Sequence, residues 1–202
     1  EHFLTVEQIS RIYHHWFEMP DEKGKDKSCK MYVGLFLFSY LGNGANVNDL
    51  LRLKYNNDWY NSDGKILSFV RHKTADKSPV KVQIPVTKWL KPILDYIADE
   101  PTRNGNVLGW FLKDTDTNDE ETMFKRTMYV NSFTSVKVRK VCKVLGLRED
   151  VCVTFARHTY STTLHHIGAP FALVEKNLGH SGSDIAFNYI GSFSVDDLFK
   201  WN

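Results

Sequence analysis

Cysteine is scarce in this sequence: Cys29, Cys142 and Cys152 are odd in number, widely spaced and form no Cys-x-x-Cys pair. That argues against a disulfide framework and a zinc knuckle, and suggests reduced thiols in a cytoplasmic protein. Long apolar runs are also missing. A membrane span needs roughly 20 consecutive apolar residues; the longest candidate here, 31–41, is about half that and reads as a buried helix. The first residues, Glu1-His2-Phe3-Leu4-Thr5, lack the basic and apolar segments of a secretory signal. No Walker motif, carboxylate metal cluster or His-Glu-x-x-His occurs, and the adjacent pairs His14-His15 and His165-His166 point apart on a helix. Neither a bound metal nor a nucleotide cofactor is therefore expected. Strong net charge is absent too: 26 basic residues face 24 acidic ones, for a formal +2, which by itself announces no polyanion partner.

What is present is an ordinary globular composition, 42% hydrophobic and 25% charged, in 202 residues, enough for one sizeable core. The charge is unevenly placed. Seven Lys or Arg residues and no acid lie between Lys125 and Arg148, while acids gather in 114–121. A basic face on an otherwise balanced chain suits polyanion binding on one side, or a plain solvated helix.

The hydrophobic period predicts the elements. Thr5-Val6-Glu7-Gln8 is a capping box, with Leu4 and Ile9 as its staple, opening an amphipathic helix over 6–18. Residues 29–41 form a helix that is apolar almost all round, hence central; Gly42 and Gly44 end it, and a short helix follows over 47–53. The period then changes to two. Ile66, Ser68 and Val70 alternate with Leu67, Phe69 and Arg71, and Val80, Val82 and Ile84 alternate again across a polar turn, which predicts a β-hairpin. Thr87 caps the next helix. A helix over 132–145 is expected to bury Phe133, Val136, Val141, Val144 and Leu145, with Lys137, Lys140 and Lys143 on its other side. The remaining helices fall at 157–167, 170–177 and about 183–189. The class is α+β, mostly α, with one small antiparallel sheet.

The chemistry concentrates late in the chain: Thr154-Phe155-Ala156-Arg157-His158-Thr159-Tyr160-Ser161-Thr162-Thr163, then Gly168, then Leu178-Gly179-His180, then Tyr189 nine residues on. In these elements, their order and their spacing the sequence resembles the tyrosine recombinases (phage-integrase family). The resemblance implies the DNA breaking-rejoining fold, with Tyr189 as nucleophile and Arg157 and His180 as phosphate donors. It also points to Lys73, in His72-Lys73-Thr74 of the hairpin, as acid for the leaving hydroxyl; Lys73 otherwise reads as an ordinary turn residue. The physical logic is consistent. Cleaving a phosphodiester without a metal requires cations on the non-bridging oxygens, and the arginine fork supplies two charge-assisted bonds to one phosphate. The same positive field stabilises the phenolate of a tyrosine whose free pKa is about 10.

Two positions depart from the family pattern. The first arginine of the family is expected in Gly44-Ala45-Asn46-Val47-Asn48-Asp49, where Asn46 stands in its place, as in some integrases of mobile elements that lack it. Arg71, two residues from Lys73 on a strand and so on the same face, either supplies the missing charge or holds a phosphate or acid outside the site. Thr154 stands three residues before Arg157, where the family has a histidine, and a hydroxyl does not shuttle protons near neutral pH. His158 is expected to bond within the helix packing, and Tyr160 to be a packing aromatic.

The resemblance further implies that residues 1–202 are the C-terminal catalytic domain of a longer protein whose N-terminal core-binding domain is not in this chain. Its partner is double-stranded DNA, with Lys137, Lys140 and Lys143 on the backbone or simply solvated, and its assembly a homotetramer on DNA, monomeric in solution, with the 190–202 tail docked on a neighbour or folded back. The function expected is site-specific recombination or integration without metal or ATP. The alternatives are a catalytically impaired DNA-binding module and a type IB-like topoisomerase.

Overall fold

The computed structural model describes residues 2–22, 24–72, 79–180 and 195–201. Lys73 and Tyr189, and the helix expected over 183–189, lie outside the described residues.

Helix α1 (Val6–Glu18) opens with the expected capping box: Thr5 accepts from the Gln8 amide and the Gln8 side chain returns the bond. Helix α2 (Lys25–Leu41) is the axis of the domain. From Lys30 to Ser39 every residue is buried, and Val33, Leu35, Phe36, Leu37 and Phe38 have no exposed surface. A helix apolar on all faces must be covered on all sides. Five others do this: α1, α3 (Val47–Leu51), α5 (Leu90–Ile97), α7 (Glu120–Val144) and α8 (Thr154–His166). The short helices α4 (Asn57–Asn61), α6 (Gly109–Leu112) and α9 (Phe171–Asn177) fill the periphery.

The hairpin is as expected: β1 (Ile66–Val70) pairs antiparallel with β2 (Lys81–Pro85), Ser68 opposite Gln83, and Arg71 extends the ladder through its amide to the Val80 carbonyl. Thr87 caps α5, its hydroxyl accepting from the Leu90 amide. The class is therefore α+β, mostly helical, with one small antiparallel sheet. No helix among the described residues is long and apolar enough to cross a membrane.

Helix α7 corrects the expectation in length and in face. It starts twelve residues earlier than predicted, capped by Asp119, whose carboxylate accepts from the Thr122 amide. Its buried side is Met123, Thr127, Val130, Thr134, Val138 and Val141, whereas Phe133, Val136 and Val144 are exposed. The buried row follows spacings of three and four. It contains small threonines because α2 supplies the bulk on the other side.

The final helix, α10 (Val195–Trp201), lies on its own domain: Leu198 is buried, and Trp201 packs with Tyr40 against Tyr160 and Leu164. The chain's other end is also tied in, because the Leu4 amide donates to Thr159 Oγ1 of α8 at 2.9 Å in the interior.

One polar network fixes the hairpin to the helices. Lys81 Nζ lies 2.6 Å from Asp58 Oδ2, Ser68 Oγ donates to the same carboxylate, and Asn56 Nδ2 donates to the Ser68 carbonyl at 2.8 Å. These bonds, led by Lys81, hold the Asp58 pKa below the usual carboxylate value. A depressed carboxyl contributes stability that is present above its unfolded pKa of about 3.9 and is lost as the pH falls through the folded value. Asp58→Asn is expected to cost up to about 1 kcal/mol at pH 7, a modest figure because Lys81 is well exposed. In denaturant unfolding the gap to the wild type should shrink below about pH 4. A gap unchanged down to pH 3 would mean that packing, not charge, is lost.

Candidate active site

The site forms where the end of α2 meets the start of α8. Carbonyls at a buried helix end need partners, and the turn after α2 is strapped by side chains. Ser39 Oγ donates to the Ala45 carbonyl at 2.7 Å, and Asn43 Nδ2 to the Gln83 carbonyl of β2 at 2.8 Å. The Gly44 carbonyl accepts from Arg157 Nη1 at 2.9 Å. Gly44 has φ +62, and a Cβ there would stand 3.2 Å from the Arg157 Cα, Leu178 Cδ2 and Tyr160 Cδ1. A side chain here would be strained by the left-handed backbone and would have to push its neighbours back by a few tenths of an ångström.

From the other side, α7 holds the segment leading into α8: Ser135 Oγ accepts from the Val153 amide at 3.0 Å and Arg139 Nε donates to the Val151 carbonyl at 2.8 Å. One helical turn later Arg157 projects to the centre. Its Nη2 donates to the Leu178 carbonyl at 2.7 Å and lies 3.0 Å from His180 Nε2. Three of its five N–H groups are thus engaged within the described residues. Burial, then the like charge of Arg71, pull its pKa down to about 10, against Asp49 and Glu175, which raise it. It is still a full cation at neutral pH.

Arg71 arrives from β1. Its Nη1 donates to the Gly179 carbonyl at 3.1 Å, and its side chain passes so close to Gly179 (φ +68) that a Cβ there would meet Arg71 Cδ at 3.0 Å. Arg71 and Arg157 line a cavity of about 280 Å³ together with Asn46, Asp49, Asn131 and Thr154. Asn46 sits at the N-cap of α3 but makes no capping bond with its side chain. Asp49, buried, accepts from the His72 amide at 3.0 Å and so pins the strand end that carries Arg71. Thr154 is exposed at the start of α8, with its hydroxyl 3.1 Å from Cys152 Sγ.

The structure thus brings Arg157, His180, Arg71, Asn46 and Thr154 into one neighbourhood, around a cavity that all but His180 line. Lys137, Lys140 and Lys143 are not part of it. Counting about 100° per residue along α7, Lys140 points opposite Asn131, the α7 residue at the cavity. Arg52 does not line the cavity either; it is forked onto both carboxylate oxygens of Glu120 at 2.9 and 2.8 Å, and its Nε donates to Asn48, a residue of the cavity wall, at 3.2 Å. His158 is exposed, contrary to the packing role expected of it, because it points away from the face that buries Phe155, Thr159 and Tyr160. Tyr160 is the buried aromatic anticipated, accepting from Asn177 Nδ2 at 2.8 Å.

Sequence reasoning missed Glu175. Its Oε2 lies 2.8 Å from His180 Nδ1 across the end of α9. A five-residue separation over a helix end carries no periodic signal, and only the Leu178-Gly179 turn brings the two side chains together.

No protein-family profile and no curated protein matches the chain by sequence. Solved structures do match. XerA recombinase superimposes with a TM-score of 0.52 at 16% identity, over 99% of this chain and 63% of that one. XerH site-specific recombinase, crystallised on its difH substrate as a pre-cleavage complex, gives 0.57 at 14% identity, over 90% and 48%. The Tn1549 transposon integrase in complex with transposon right end DNA gives 0.55 at 14% identity, over 96% and 63%. At such identities the likeness is one of fold: the chain has the fold seen in these tyrosine recombinases. It spans about half to two thirds of the length of each.

The close packing at Gly44 is testable against Gly146, which has the same left-handed backbone (φ +63) but nothing within 4 Å of an added Cβ. Gly146→Ala should cost about 1 kcal/mol, from backbone strain alone. Gly44→Ala should cost a further 1–3 kcal/mol, about the range for overpacking. Equal midpoint losses in denaturant would rule out the tight approach of Arg157 to this turn.

Proposed function

We propose that the chain is the catalytic domain of a tyrosine-type site-specific DNA recombinase, an integrase or transposase of a mobile element. The observation that carries this reading is the meeting of Arg157 with His180, 3.0 Å apart, inside a fold shared with recombinases. In the proposed reaction the Arg157 guanidinium binds the non-bridging oxygens of the scissile phosphate, and the phenol oxygen of Tyr189 attacks phosphorus. The Tyr189 phenol gives up its proton to solvent, the bond to the 5′ oxygen breaks, a 3′-phosphotyrosine link forms, and Lys73 donates a proton to the departing oxygen, which leaves as a hydroxyl. The link keeps the bond energy, so a second DNA end reverses the step with neither ATP nor metal. Tetramers on DNA fit this reading, since strand exchange joins four ends. The exposed Lys140 and Lys143, with Lys137, then serve backbone phosphates away from the centre.

Arg71 is the proposed replacement for the charge missing at Asn46, because it lines the same cavity as Arg157. A second reading, a DNA-binding module with impaired catalysis, is favoured by Asn46 and Thr154 standing on the cavity wall without charge.

A suicide DNA substrate separates the two. The recombinase reading expects a covalent protein–DNA adduct that resists denaturing electrophoresis and disappears in Tyr189→Phe; an impaired module binds the DNA and gives no adduct. Arg71→Ala should slow adduct formation about 10²–10³-fold, the usual loss for one donor to a developing charge. Arg52→Ala, which frees Glu120 and loosens Asn48 but removes no charge from the cavity lining, should slow it less. Equal losses would remove Arg71 from the proposed machinery.

A further inference from the structure

His180 makes two ring contacts, and their chemistry leaves one assignment. Nδ1 lies 2.8 Å from Glu175 Oε2 and Nε2 lies 3.0 Å from Arg157 Nη2. A carboxylate only accepts and a guanidinium only donates. Both contacts are hydrogen bonds only when Nδ1 carries the proton and Nε2 the lone pair.

We infer that Glu175 is a positioning residue of this site: it holds His180 as the Nδ1–H tautomer and so presents Nε2 to Arg157 and to an anion bound there. The inference rests on the recombinase reading for the identity of that anion, a DNA phosphate. An anion that replaces Nε2 as an acceptor of Arg157 Nη2 comes to lie beside Nε2, although His180 does not itself line the cavity. A lone pair there repels it, whereas an Nε2–H donates to it. The ring holds such an anion only as the imidazolium, when Nε2 also carries a proton, taken from solvent, while the Nδ1–H stays on Glu175. A carboxylate on the far nitrogen stabilises that cation, as the buried acid of a hydrolase triad does. Among the described residues, the charged groups around the ring are Glu175 of α9, Arg157 of α8, Arg71 on the Gly179 carbonyl, and Asp49 of α3 acting through Arg157. The two cations oppose protonation and the two acids favour it, but Glu175 is the acid in direct contact. The pair thus provides a proton-carrying imidazole to a site where Thr154 stands in the place of one.

The test uses the chain labelled with 15N-histidine. Long-range 1H–15N spectra report which ring nitrogen bears the proton, with His180 assigned by its loss in His180→Gln. At pH 8 the wild type should show Nδ1 protonated and Nε2 bare. Glu175→Gln, whose amide oxygen accepts the same bond, should keep that tautomer. Glu175→Ala should lose the preference. A wild-type ring protonated on Nε2 alone, or an unchanged tautomer in Glu175→Ala, overturns the inference. On the suicide substrate, Glu175→Ala should slow adduct formation about 10–100-fold, and Glu175→Gln, which keeps the bond to Nδ1, should recover most of that loss. Should no substrate give an adduct while the spectra behave as expected, the recombinase reading fails and the positioning role stands. Adduct formation with spectra indifferent to residue 175 sinks the positioning role alone.

Discussion

A helix with apolar side chains on every face has to be enclosed, and the enclosure of α2 dictates most of what surrounds it. Five helices close over it, and the hairpin packs beyond its end. Because α2 is buried to its last turn, its final carbonyls and the turn that follows also lie inside, where unpaired polar groups are costly. Ser39 and Arg157 donate to the Ala45 and Gly44 carbonyls of that turn, and Asn43 ties it to the Gln83 carbonyl of β2. The arginine that organises the candidate site is therefore also a structural answer to the problem of ending a central helix in the interior.

Local rules carried far along this chain. The capping box at Thr5, the change of period at Ile66 and the all-round apolarity of α2 each describe an element that forms as expected. The face of α7 was not legible in the same way. Counting apolar residues selects Phe133, Val136 and Val144, yet Thr127 and Thr134 are buried instead, because a crowded partner helix leaves room for small side chains only. Within the site, Arg157 and His180 could be found from motif spacing. Arg71 was reachable from strand geometry as a neighbour of the site, though not its bond to the Gly179 carbonyl. Glu175 had no signal at all, since its contact depends on the angle at which α9 ends.

The site's electrostatics follow from the types of partner each cation has. Arg52 is neutralised by a two-pronged carboxylate, and its charge is spent locally. Arg157 is held by carbonyl dipoles and a ring nitrogen, which fix its orientation without cancelling its charge. Its field therefore remains directed at the cavity, reinforced by Arg71 and tempered by Asp49. Two arginines of one small protein thus differ in kind, one closed into an ion pair and one left facing a cavity.

The carbonyl clamp on Arg157 has a kinetic side as well. Gly44 is 113 residues away in the chain, and Arg71 is 108 residues from the Gly179 carbonyl it holds. Contacts so remote in sequence are assembled after local helices and the hairpin, once loop closure has been compensated by packing. The candidate site is consequently expected to be completed late on folding, after the helices and the hairpin that carry its residues.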